Sequence, residues 1–578
     1  MKFKREILII SVIVLVLLFS GLVVYANNEQ IDCINCKWNN YFGGCTSILV
    51  GKDASVDGST MVTHSADCGL CDYTIKYIPA ADHEPNEAMR VYWVKQYTEG
   101  ETNIPEDSGI DIPQVPHTYA YTKTFFGLMN EHQVGIGEST VISKTSEMLN
   151  NNAALLPVTT LSILALERAK TAREAIKIMG ELAEKYGYKN YDTMAESLSV
   201  GDPKEVWLFE IMGPGPLWKP GSEEPGAVWV AQRVPDDEVG VIANASRIGE
   251  IDLNNTDYFM GSPNIYSLAE KMKLWDSKSG EPFSWRKVYG NYYSAAFPRE
   301  FCSLRVWDAF RLINPSVKID PKSDSDTWTF SVKPAKKLSV ADIMNIHRST
   351  FEGTQYDLSK GLAGGPFHSP YRFGGSPFEV DGKNYFWAHP IAFMETEYTV
   401  IQQARDWLSD PIGGITWYGA ACNKGTIFIP FYCGTMNYPK AFTVGDHKKF
   451  DKNMFWAADF VSMWANLNWD TIYPDIKTNQ ERIENQQFIT LSAIDDAAAK
   501  LYKQDPELAV KFVSDWSFNN ANQIANEWWD YAESLIVKYN YLGYLGPCWE
   551  PGPSYPEEWL KLMDAGNDPG AIPAIPVD

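Results

Sequence analysis

A cysteine at position 45 stands where the chain could form a nucleophile. It follows Gly43 and Gly44 and opens a run of strand-forming residues at 45–50 (CTSILV). A cut between Gly44 and Cys45 would make the cysteine the N-terminus, and its α-amine, with a reference pKa of about 8, could serve as the base for its own thiol. One residue would then supply nucleophile and base. The same spacing also fits an ordinary buried strand cysteine or half of a disulfide.

The residues around this cysteine predict a β-hairpin. Residues 45–50 alternate, residues 52–58 end in the turn pair Asp-Gly, and residues 59–64 are strand-like again. A second strand, turn and strand are predicted over 124–138. The sequence therefore places Cys45 at the start of a strand within a sheet.

The remaining elements alternate between helices and strands in blocks. Helices begin near 157, and residues 171–174 (TARE) form a capping box that opens a second helix, with Gly187 as its stop. Further elements are predicted as strands at 205–211 and 227–231, a short helix at 339–349, a β-rich block at 391–434 and amphipathic helices over about 453–541. Sheets covered by helices give an α+β or layered αββα fold.

The first residues predict export. Residues 2–5 (KFKR) are basic, residues 7–24 are almost wholly apolar, and Ala26 offers a small residue for cleavage. The apolar run is about 18 residues, which is also just enough for a membrane anchor. Both readings place the bulk of the chain outside the cytoplasm, whether extracellular, periplasmic or membrane-anchored.

Nine cysteines are present, so at least one thiol stays unpaired if the others form disulfides. Cys33 and Cys36, like Cys68 and Cys71, have C-x-x-C spacing. The two pairs could form a four-thiolate zinc site, but an oxidising compartment favours local disulfides or mixed pairings.

Composition excludes several functional classes. The 578 residues are 45% hydrophobic and 13% aromatic, a composition too apolar for a disordered chain. The length suits three or four domains or one large elaborated domain. A formal charge of −23 argues against a nucleic-acid partner. The histidines show no metal-binding spacing and no dinucleotide motif is complete, so neither a metal nor a cofactor is predicted. A homo-oligomer is left open.

Several blocks of the chain, between about 45 and 540, carry a family resemblance. They are residues 45–61 (CTSILVGKDASVDGSTM), 65–67 (SAD), 129–135 (MNEHQVG), 166–176 (LERAKTAREAI), 186–188 (YGY), 229–237 (WVAQRVPDD), 243–248 (ANASRI), 351–357 (FEGTQYD), 365–367 (GPF), 403–407 (QARDW) and 430–432 (PFY). In this order they resemble the cysteine dipeptidases of the N-terminal-nucleophile (Ntn) hydrolase superfamily, the dipeptidase A and secernin group.

The resemblance implies an αββα sandwich, autocatalytic removal of a short propeptide and hydrolysis of dipeptides through a thioester. It divides the chain into a signal peptide or anchor (1–26), a propeptide (27–44), a peptidase domain (45–545, helical from about 453 to 541) and a Pro-rich, irregular tail (546–578).

Site residues follow from matched positions. Cys45 is the nucleophile implied by the resemblance. Asp67 matches an acidic position that orients the new α-amine or meets the amine of the substrate. Asn130 and Asn244 match positions that place side-chain amides near the oxyanion, where such donors typically lower the barrier by a few kcal/mol.

Binding of the substrate's carboxylate is assigned to Arg305 or Arg247, between which the sequence leaves the choice open. His64 occupies a position where many relatives carry arginine. Arginine is always charged, whereas histidine is charged only in part near neutral pH. The electrostatics of the site are therefore expected to differ from those of the relatives, or another arginine to substitute.

Two further functions remain as alternatives to an exported dipeptidase. One is an amidase of the same superfamily that acts on other N-acyl amides, of the bile-salt or penicillin type. The other is an anchored ectodomain without catalysis, in which Cys45 is never exposed.

Overall fold

The computed structural model describes residues 43–69, 71–94, 105–190, 194–290, 299–372, 377–540 and 555–562. The predicted export segment, most of the predicted propeptide, and Cys33 and Cys36 lie outside the described residues. Within the described ranges no helix combines the length and apolar character needed to cross a membrane.

Cys45 lies on an inner strand of a seven-stranded antiparallel sheet. The strands are β1 (Gly44–Val50), β2 (Thr60–Asp67), β14 (Val239–Ile242), β16 (Ser331–Val332), β19 (Tyr398–Ala404), β20 (Ile415–Ala420) and β21 (Ile429–Tyr432). Their order is β16-β14-β1-β2-β19-β20-β21.

A second sheet has eight antiparallel strands. They are β3 (Lys76–Ile78), β8 (Tyr121–Lys123), β9 (Gly127–Asn130), β10 (Gly135–Val141), β11 (Ala195–Gly201), β12 (Val206–Met212), β13 (Val228–Arg233) and β15 (Phe259–Gly261). Their order is β15-β13-β12-β11-β10-β9-β8-β3. Three two-stranded ribbons complete the described strands: β4 (Ala81–Asp82) with β7 (His117–Thr118), β5 (Ala88–Val94) with β6 (Pro105–Pro113), and β17 (Pro377–Val380) with β18 (Lys383–Phe386).

Helices lie between and after these strands. The α-helices are Lys144–Met148, Val158–Arg168, Ala172–Tyr186, Ile265–Lys271, Arg299–Ile313, Val340–His347, Gly361–Gly364, Asp410–Gly413, Lys440–Thr443, Met454–Trp464, Trp469–Tyr502, Pro506–Tyr539 and Glu557–Leu562. Short 3-10 turns span Lys52–Ala54, Ser325–Thr327 and Ala465–Leu467, and a π-helical turn spans Arg286–Gly290.

The alternation of side chains along the strands sets the layers. On β1, Ile48 and Val50 pack in a cluster with the helices Arg299–Ile313 and Val340–His347, whereas Leu49 between them packs with Leu208 of β12. On β12, the next residue, Phe209, packs in a cluster with the helices Val158–Arg168 and Ala172–Tyr186. Since successive strand residues point to opposite faces, the two sheets face each other and helices cover their outer faces.

The predicted hairpin and the first helices are confirmed. β1 and β2 pair antiparallel with Cys45 opposite Ala66. Thr171 caps the helix Ala172–Tyr186 by accepting from the Glu174 backbone N–H, and the Glu174 carboxylate accepts in return from the backbone N–H of Lys170. Gly187 ends this helix at φ +84°, which glycine adopts at little cost.

The other predicted blocks are confirmed as well, and the α+β class holds. The strands predicted at 205–211 and 227–231 are β12 and β13, and the β-rich block contains β19 to β21. Three helices between 454 and 539 form the helical C-terminal part and pack on β20 and β21. The acidic β5–β6 ribbon and the helix Arg299–Ile313 were not predicted, and the helix Glu557–Leu562 lies in the tail expected to be irregular.

The structure shows how one of the two C-x-x-C pairs is bonded. Cys68 and Cys71 form a disulfide directly after β2. The four-thiolate zinc site, which would need both thiols, is therefore wrong, and the local-disulfide alternative is the one found. The described free cysteines, Cys45, Cys302, Cys422 and Cys433, are all buried.

Candidate active site

The β1–β2 hairpin places Cys45 in the interior of the protein, where water cannot reach it. Cys45 is 1% exposed, and all seven residues of β1 are buried. In the pairing with β2, Gly44 lies opposite Asp67 and Cys45 opposite Ala66. The hairpin thus brings the cysteine and the aspartate that the sequence analysis singled out to the same end of the ladder.

The backbone of Cys45 is held by three side chains from distant parts of the chain. Its N–H donates to Asn244 Oδ1 at 2.9 Å, and its carbonyl accepts from Arg305 Nη1 at 2.9 Å and from Ser139 Oγ at 3.2 Å. Arg305 Nη2 also donates to Asn244 Oδ1, at 2.7 Å. Asn244 is itself fixed by donating Nδ2–H to the Thr140 carbonyl at 2.8 Å. These bonds fix the position of the atoms on both sides of the cysteine Cα.

The two residues before Cys45 fit only as glycines. A Cβ on Gly43 would lie 2.1 Å from the Asp67 carbonyl oxygen. A Cβ on Gly44 would lie 2.8 Å from Asn244 Oδ1 and 3.1 Å from Arg305 Nη1. The Gly44–Cys45 peptide bond therefore passes directly beside the groups that hold Cys45.

Asp67 is buried and hydrogen-bonded, yet burial dominates its chemistry. Its carboxylate accepts from Thr396 Oγ1 at 2.6 Å and from Ser65 Oγ at 3.4 Å. Burial raises the pKa of Asp67 to about 8, although these two hydrogen bonds and the charge of Arg305 act to lower it. In the uncleaved chain Asp67 is thus largely protonated at neutral pH.

The thiol of Cys45 is also held in its neutral form. Burial, followed by the negative charge of Glu138, raises its pKa well above the ordinary value, and a hydrogen bond from the Asp67 backbone opposes this only in part. A buried thiol of this kind is a poor nucleophile until a base removes its proton.

Two buried residues lie close to the thiol. His64, on β2, is fully buried, and its Nε2 lies 3.4 Å from Glu138 Oε2. The rings of Phe126 and Tyr398 meet the His64 ring edge-on, at centroid distances of 5.3 and 5.6 Å. His64 therefore faces the Glu138 carboxylate and the Cys45 thiol rather than open solvent.

Asn130 is placed in a turn. Its side-chain amide donates to the carbonyls of Leu166 and Ala169, and its oxygen accepts from the backbone N–H groups of His132 and Val134. None of these partners belongs to the Cys45 hairpin. Both amide hydrogens are used, so Asn130 has none to offer an oxyanion in this arrangement, and it braces the β9–β10 turn instead.

Arg305, rather than Arg247, is the arginine that reaches Cys45. Arg247 donates its backbone N–H to Glu210 and its Nη2 to the Thr329 carbonyl, and its guanidinium lies over Phe310. Arg305 is fully buried, and its bonds to Cys45 and Asn244 occupy much of its guanidinium. Its partners are backbone carbonyls of Cys45 and Phe301 and the side chains of Asn244 and Thr46, so it binds the protein itself and not an open carboxylate-binding pocket.

Sequence reasoning missed Glu138, Ser139 and Thr396. Each contacts Cys45 or Asp67 in the structure. A signal for Glu138 existed: it is a lone carboxylate within the strand run 135–141 (GIGESTV), all of which is buried. Charged side chains are seldom fully buried unless they are paired.

One group of donor atoms in the described part of the chain could share a metal ion. The Cys45 thiol, a His64 ring nitrogen and a Glu138 carboxylate oxygen all lie within 4.8 Å of one another. The three donor types suit Zn²⁺. We assign no metal here, because the imidazole and the carboxylate already face each other at 3.4 Å.

The raised pKa of Asp67 makes stability depend on pH. The pKa is about 8 in the folded chain and about 3.9 in an unfolded one. The stability linked to the bound proton is therefore complete below about pH 4 and is lost as the pH rises through about 8. The parent for the comparison is the Cys45→Ala chain, which stays uncleaved. Adding Asp67→Asn to it removes the carboxyl group that titrates. We expect the Tm of the Cys45→Ala parent to fall relative to that of the double variant between pH 6 and 9.

Scanning calorimetry at several pH values measures this difference. Asp530→Asn, on an exposed face of the helix Pro506–Tyr539, controls for loss of a single charge and should give a curve parallel to that of the parent. Parallel curves for Asp67→Asn as well would contradict the assignment of the raised pKa.

Comparisons with known proteins agree with each other. Residues 44–482 match the family model described as peptidase family C69. The chain is 26% identical to a "Probable dipeptidase" of Latilactobacillus sakei, over 81% of this chain and 92% of the relative. It is 25% identical to a "Probable dipeptidase B" of Lactococcus lactis (82% and 93%) and 24% identical to a "Dipeptidase A" of Lactobacillus helveticus (86% and 99%). The match to the family begins one residue before Cys45.

Proposed function

The chain belongs to peptidase family C69 and is a hydrolase of peptide bonds, and we propose that it cleaves dipeptides with the Cys45 thiol after its own Gly44–Cys45 bond has been cut. The observation that carries the proposal is the set of hydrogen bonds at Cys45. Asn244 holds its nitrogen and Arg305 its carbonyl, while Gly44 passes alongside without room for a side chain. We propose as well that the two sheets and the helices that cover them form the αββα sandwich of the Ntn hydrolases.

In the mature chain the nitrogen of Cys45 becomes an α-amine. Asn244 Oδ1, which accepts from this nitrogen at 2.9 Å in the uncleaved chain, is positioned to accept from the amine. Arg305 and Ser139 hold the Cys45 carbonyl, so the end of β1 stays in place when the preceding bond is lost. A positive α-ammonium beside Asp67 would favour the ionised carboxylate, since an opposite charge stabilises it.

Hydrolysis then proceeds through a thioester. The α-amine takes the thiol proton, and the thiolate attacks the carbonyl carbon of the dipeptide. The C–N bond breaks as the α-ammonium gives its proton to the departing amino acid. Water next attacks the thioester carbon and gives a proton to the α-amine, and the second amino acid leaves as the thiol re-forms.

We propose in addition that the chain is exported. Residues 1–26 would act as the signal peptide or anchor, 27–44 as the propeptide, 45–545 as the hydrolase and 546–578 as the tail. Two observations support this: the basic residues 2–5 before an apolar run, and the Cys68–Cys71 disulfide. Disulfides persist mainly in oxidising compartments outside the cytoplasm.

A matched substrate panel tests the activity. We expect purified mature protein to hydrolyse dipeptides that have a free amine. Its kcat/KM for them should be at least about 100-fold higher than for the same dipeptides N-acetylated. The reason is that a substrate without the free amine leaves buried polar groups of the binding site unpaired, which is costly. Aryl-acetyl amino acids and bile-salt amides form the second panel. A preference for that panel would establish the N-acyl amidase instead. Activity on neither panel, from a chain that keeps residues before Cys45, would favour the non-catalytic ectodomain.

A further inference from the structure

Three buried polar groups meet between the two sheets without satisfying one another. The Cys45 thiol, His64 and Glu138 have donor atoms within 4.8 Å of one another, and all three residues are at most 1% exposed. Both ring nitrogens of His64 and Glu138 Oε2 lack a hydrogen bond of good geometry. Buried polar atoms are nearly always hydrogen-bonded, so such a cluster calls for a functional reason.

Self-cleavage raises a chemical problem that this cluster can solve. Before the Gly44–Cys45 bond is cut, the nitrogen of Cys45 is an amide that donates to Asn244. An amide nitrogen cannot act as a base, so the α-amine of the mature enzyme is not yet available. The buried thiol still needs a group that removes its proton.

We propose that Glu138 is the proton acceptor for the Cys45 thiol in the self-cleavage step, with His64 as the positioning residue that keeps this carboxylate ionised. The inference rests on the proposed function, because it concerns how the nucleophile of that function first acts. Glu138 then has no required part in the later turnover of dipeptides, for which the α-amine of Cys45 is the base.

The surroundings of Glu138 suit an acceptor. Thr140 Oγ1 donates to Oε1 at 2.8 Å, while Oε2 faces His64 Nε2 at 3.4 Å. Glu196 lies opposite Thr140 on the neighbouring strand β11 and is also fully buried. Burial and the charge of Glu138 raise the pKa of Glu196, so it keeps its proton. Burial opposes ionisation of Glu138 too, but its close contacts with His64 and Glu196 outweigh burial and lower its pKa.

Asp67 is less suited to this step. Its carboxyl oxygens are engaged by Thr396 and Ser65, and its backbone, not its carboxylate, bonds to the thiol. Its raised pKa also leaves it largely protonated at neutral pH. Of the two carboxyl groups whose charges act on the thiol, Glu138 is therefore the one able to accept a proton.

The step balances without an added reagent except water. The thiol proton passes to Glu138, and Cys45 Sγ attacks the Gly44 carbonyl carbon to form a tetrahedral adduct. The C–N bond breaks, the departing nitrogen of Cys45 takes the proton back from Glu138, and Gly44 is left as a thioester on Sγ. Water hydrolyses this thioester, so that Gly44 leaves as a carboxylate and Cys45 carries a free thiol and a free α-amine.

Glu138→Gln tests the inference in the full chain. The rate of self-cleavage, followed by intact mass after synthesis, should fall at least about 100-fold, the lower range for loss of a general base. Activity on dipeptides, normalised to the fraction of chains that start at Cys45, should stay within about fivefold of wild type. The matched control is Glu484→Gln, which removes another buried carboxylate with a basic partner, in this case Arg348 at 2.6 Å, away from Cys45. It should cleave itself within about threefold of the wild-type rate.

The pH profile separates catalysis from a structural effect. Wild-type self-cleavage should be nearly independent of pH from 7 to 9, because an internal base removes the proton. In Glu138→Gln the rate should rise roughly tenfold per pH unit, because hydroxide must form the thiolate. Glu138→Asp, which retains a carboxylate, should recover part of the rate and covers the case in which Glu138→Gln fails to fold.

The outcomes distinguish two failures. Self-cleavage of Glu138→Gln at the rate of Glu484→Gln would overturn the role of Glu138 while leaving Cys45 as the nucleophile. An equal loss of self-cleavage and of dipeptidase activity per mature chain would also overturn it, because Glu138 would then serve both steps. A wild-type chain that never starts at Cys45 would overturn the proposed function itself.

Discussion

Replacing Cys45 by alanine should abolish both maturation and activity. We expect the Cys45→Ala chain to keep the residues before position 45, and its hydrolysis of dipeptides to fall by about 10⁴-fold or more, as for other nucleophiles that act within a catalytic unit. The reason is that one residue supplies the thiolate, the α-amine and the bond that is cut. Intact mass and N-terminal sequencing, beside a dipeptide assay, measure the two effects on the same sample.

Cys422→Ala is the matched control for this variant. Cys422 is a free and fully buried cysteine as well, and its thiol contacts the Tyr371 hydroxyl. The same change of side chain at the same degree of burial should lower the Tm while leaving maturation intact. A Cys45→Ala chain that still begins at residue 45 would mean that another protease makes the cut.

Replacing Arg305 by lysine should have the second-largest effect. Arg305 binds the Cys45 carbonyl with Nη1 and Asn244 Oδ1 with Nη2, at 2.9 and 2.7 Å. Lysine keeps the charge but not the planar fork that reaches both acceptors. We expect kcat to fall by about 10²–10³-fold, the size typical of losing one preorganised donor at a reaction centre. KM should change much less, because these bonds hold the nucleophile and not the substrate.

Arg247→Lys separates this role from a general effect of altering a buried arginine. Arg247 is also buried, and its guanidinium donates to the Thr329 carbonyl away from Cys45. The Arg247→Lys variant should be less stable than wild type, and its kcat should stay within a few-fold of the wild-type value. Equal losses of kcat in both variants would contradict the placement of Arg305 at the nucleophile and would reopen the choice that the sequence left between the two residues.

Local patterns were enough to predict the strands that carry Cys45 and Asp67. Alternation over 45–50 and the Asp-Gly turn define a hairpin, and hydrogen bonding between β1 and β2 leaves little freedom in where Cys45 lies. The capping box at Thr171 predicted the helix start in the same way, because its two hydrogen bonds join residues three and four apart. The ribbon β5–β6 was not predicted, and its second strand offered little pattern to detect, because Ile112 is the one buried residue of β6.

The contacts of the site itself depend on packing that no local pattern encodes. Asn130 and Asn244 both matched a motif, yet one braces a turn while the other bonds to the Cys45 nitrogen. Arg305 reaches Cys45 across 260 positions of sequence, a distance that only the docking of its helix onto β14 can close. Glu138 becomes a partner of His64 because the two sheets face each other.

The tight fit of Gly43 and Gly44 has a consequence for when the protein can act. In the uncleaved chain these residues occupy the space beside the thiol, and no Cβ could enter there without displacing Asp67, Asn244 or Arg305. On the proposed mechanism, Gly44 donates the first acyl group that Cys45 ever carries, and a dipeptide can follow only after it has gone. On this proposal the protein is made as a zymogen whose substrate position is already filled, and each molecule stays inactive towards dipeptides until it has completed one turnover on itself.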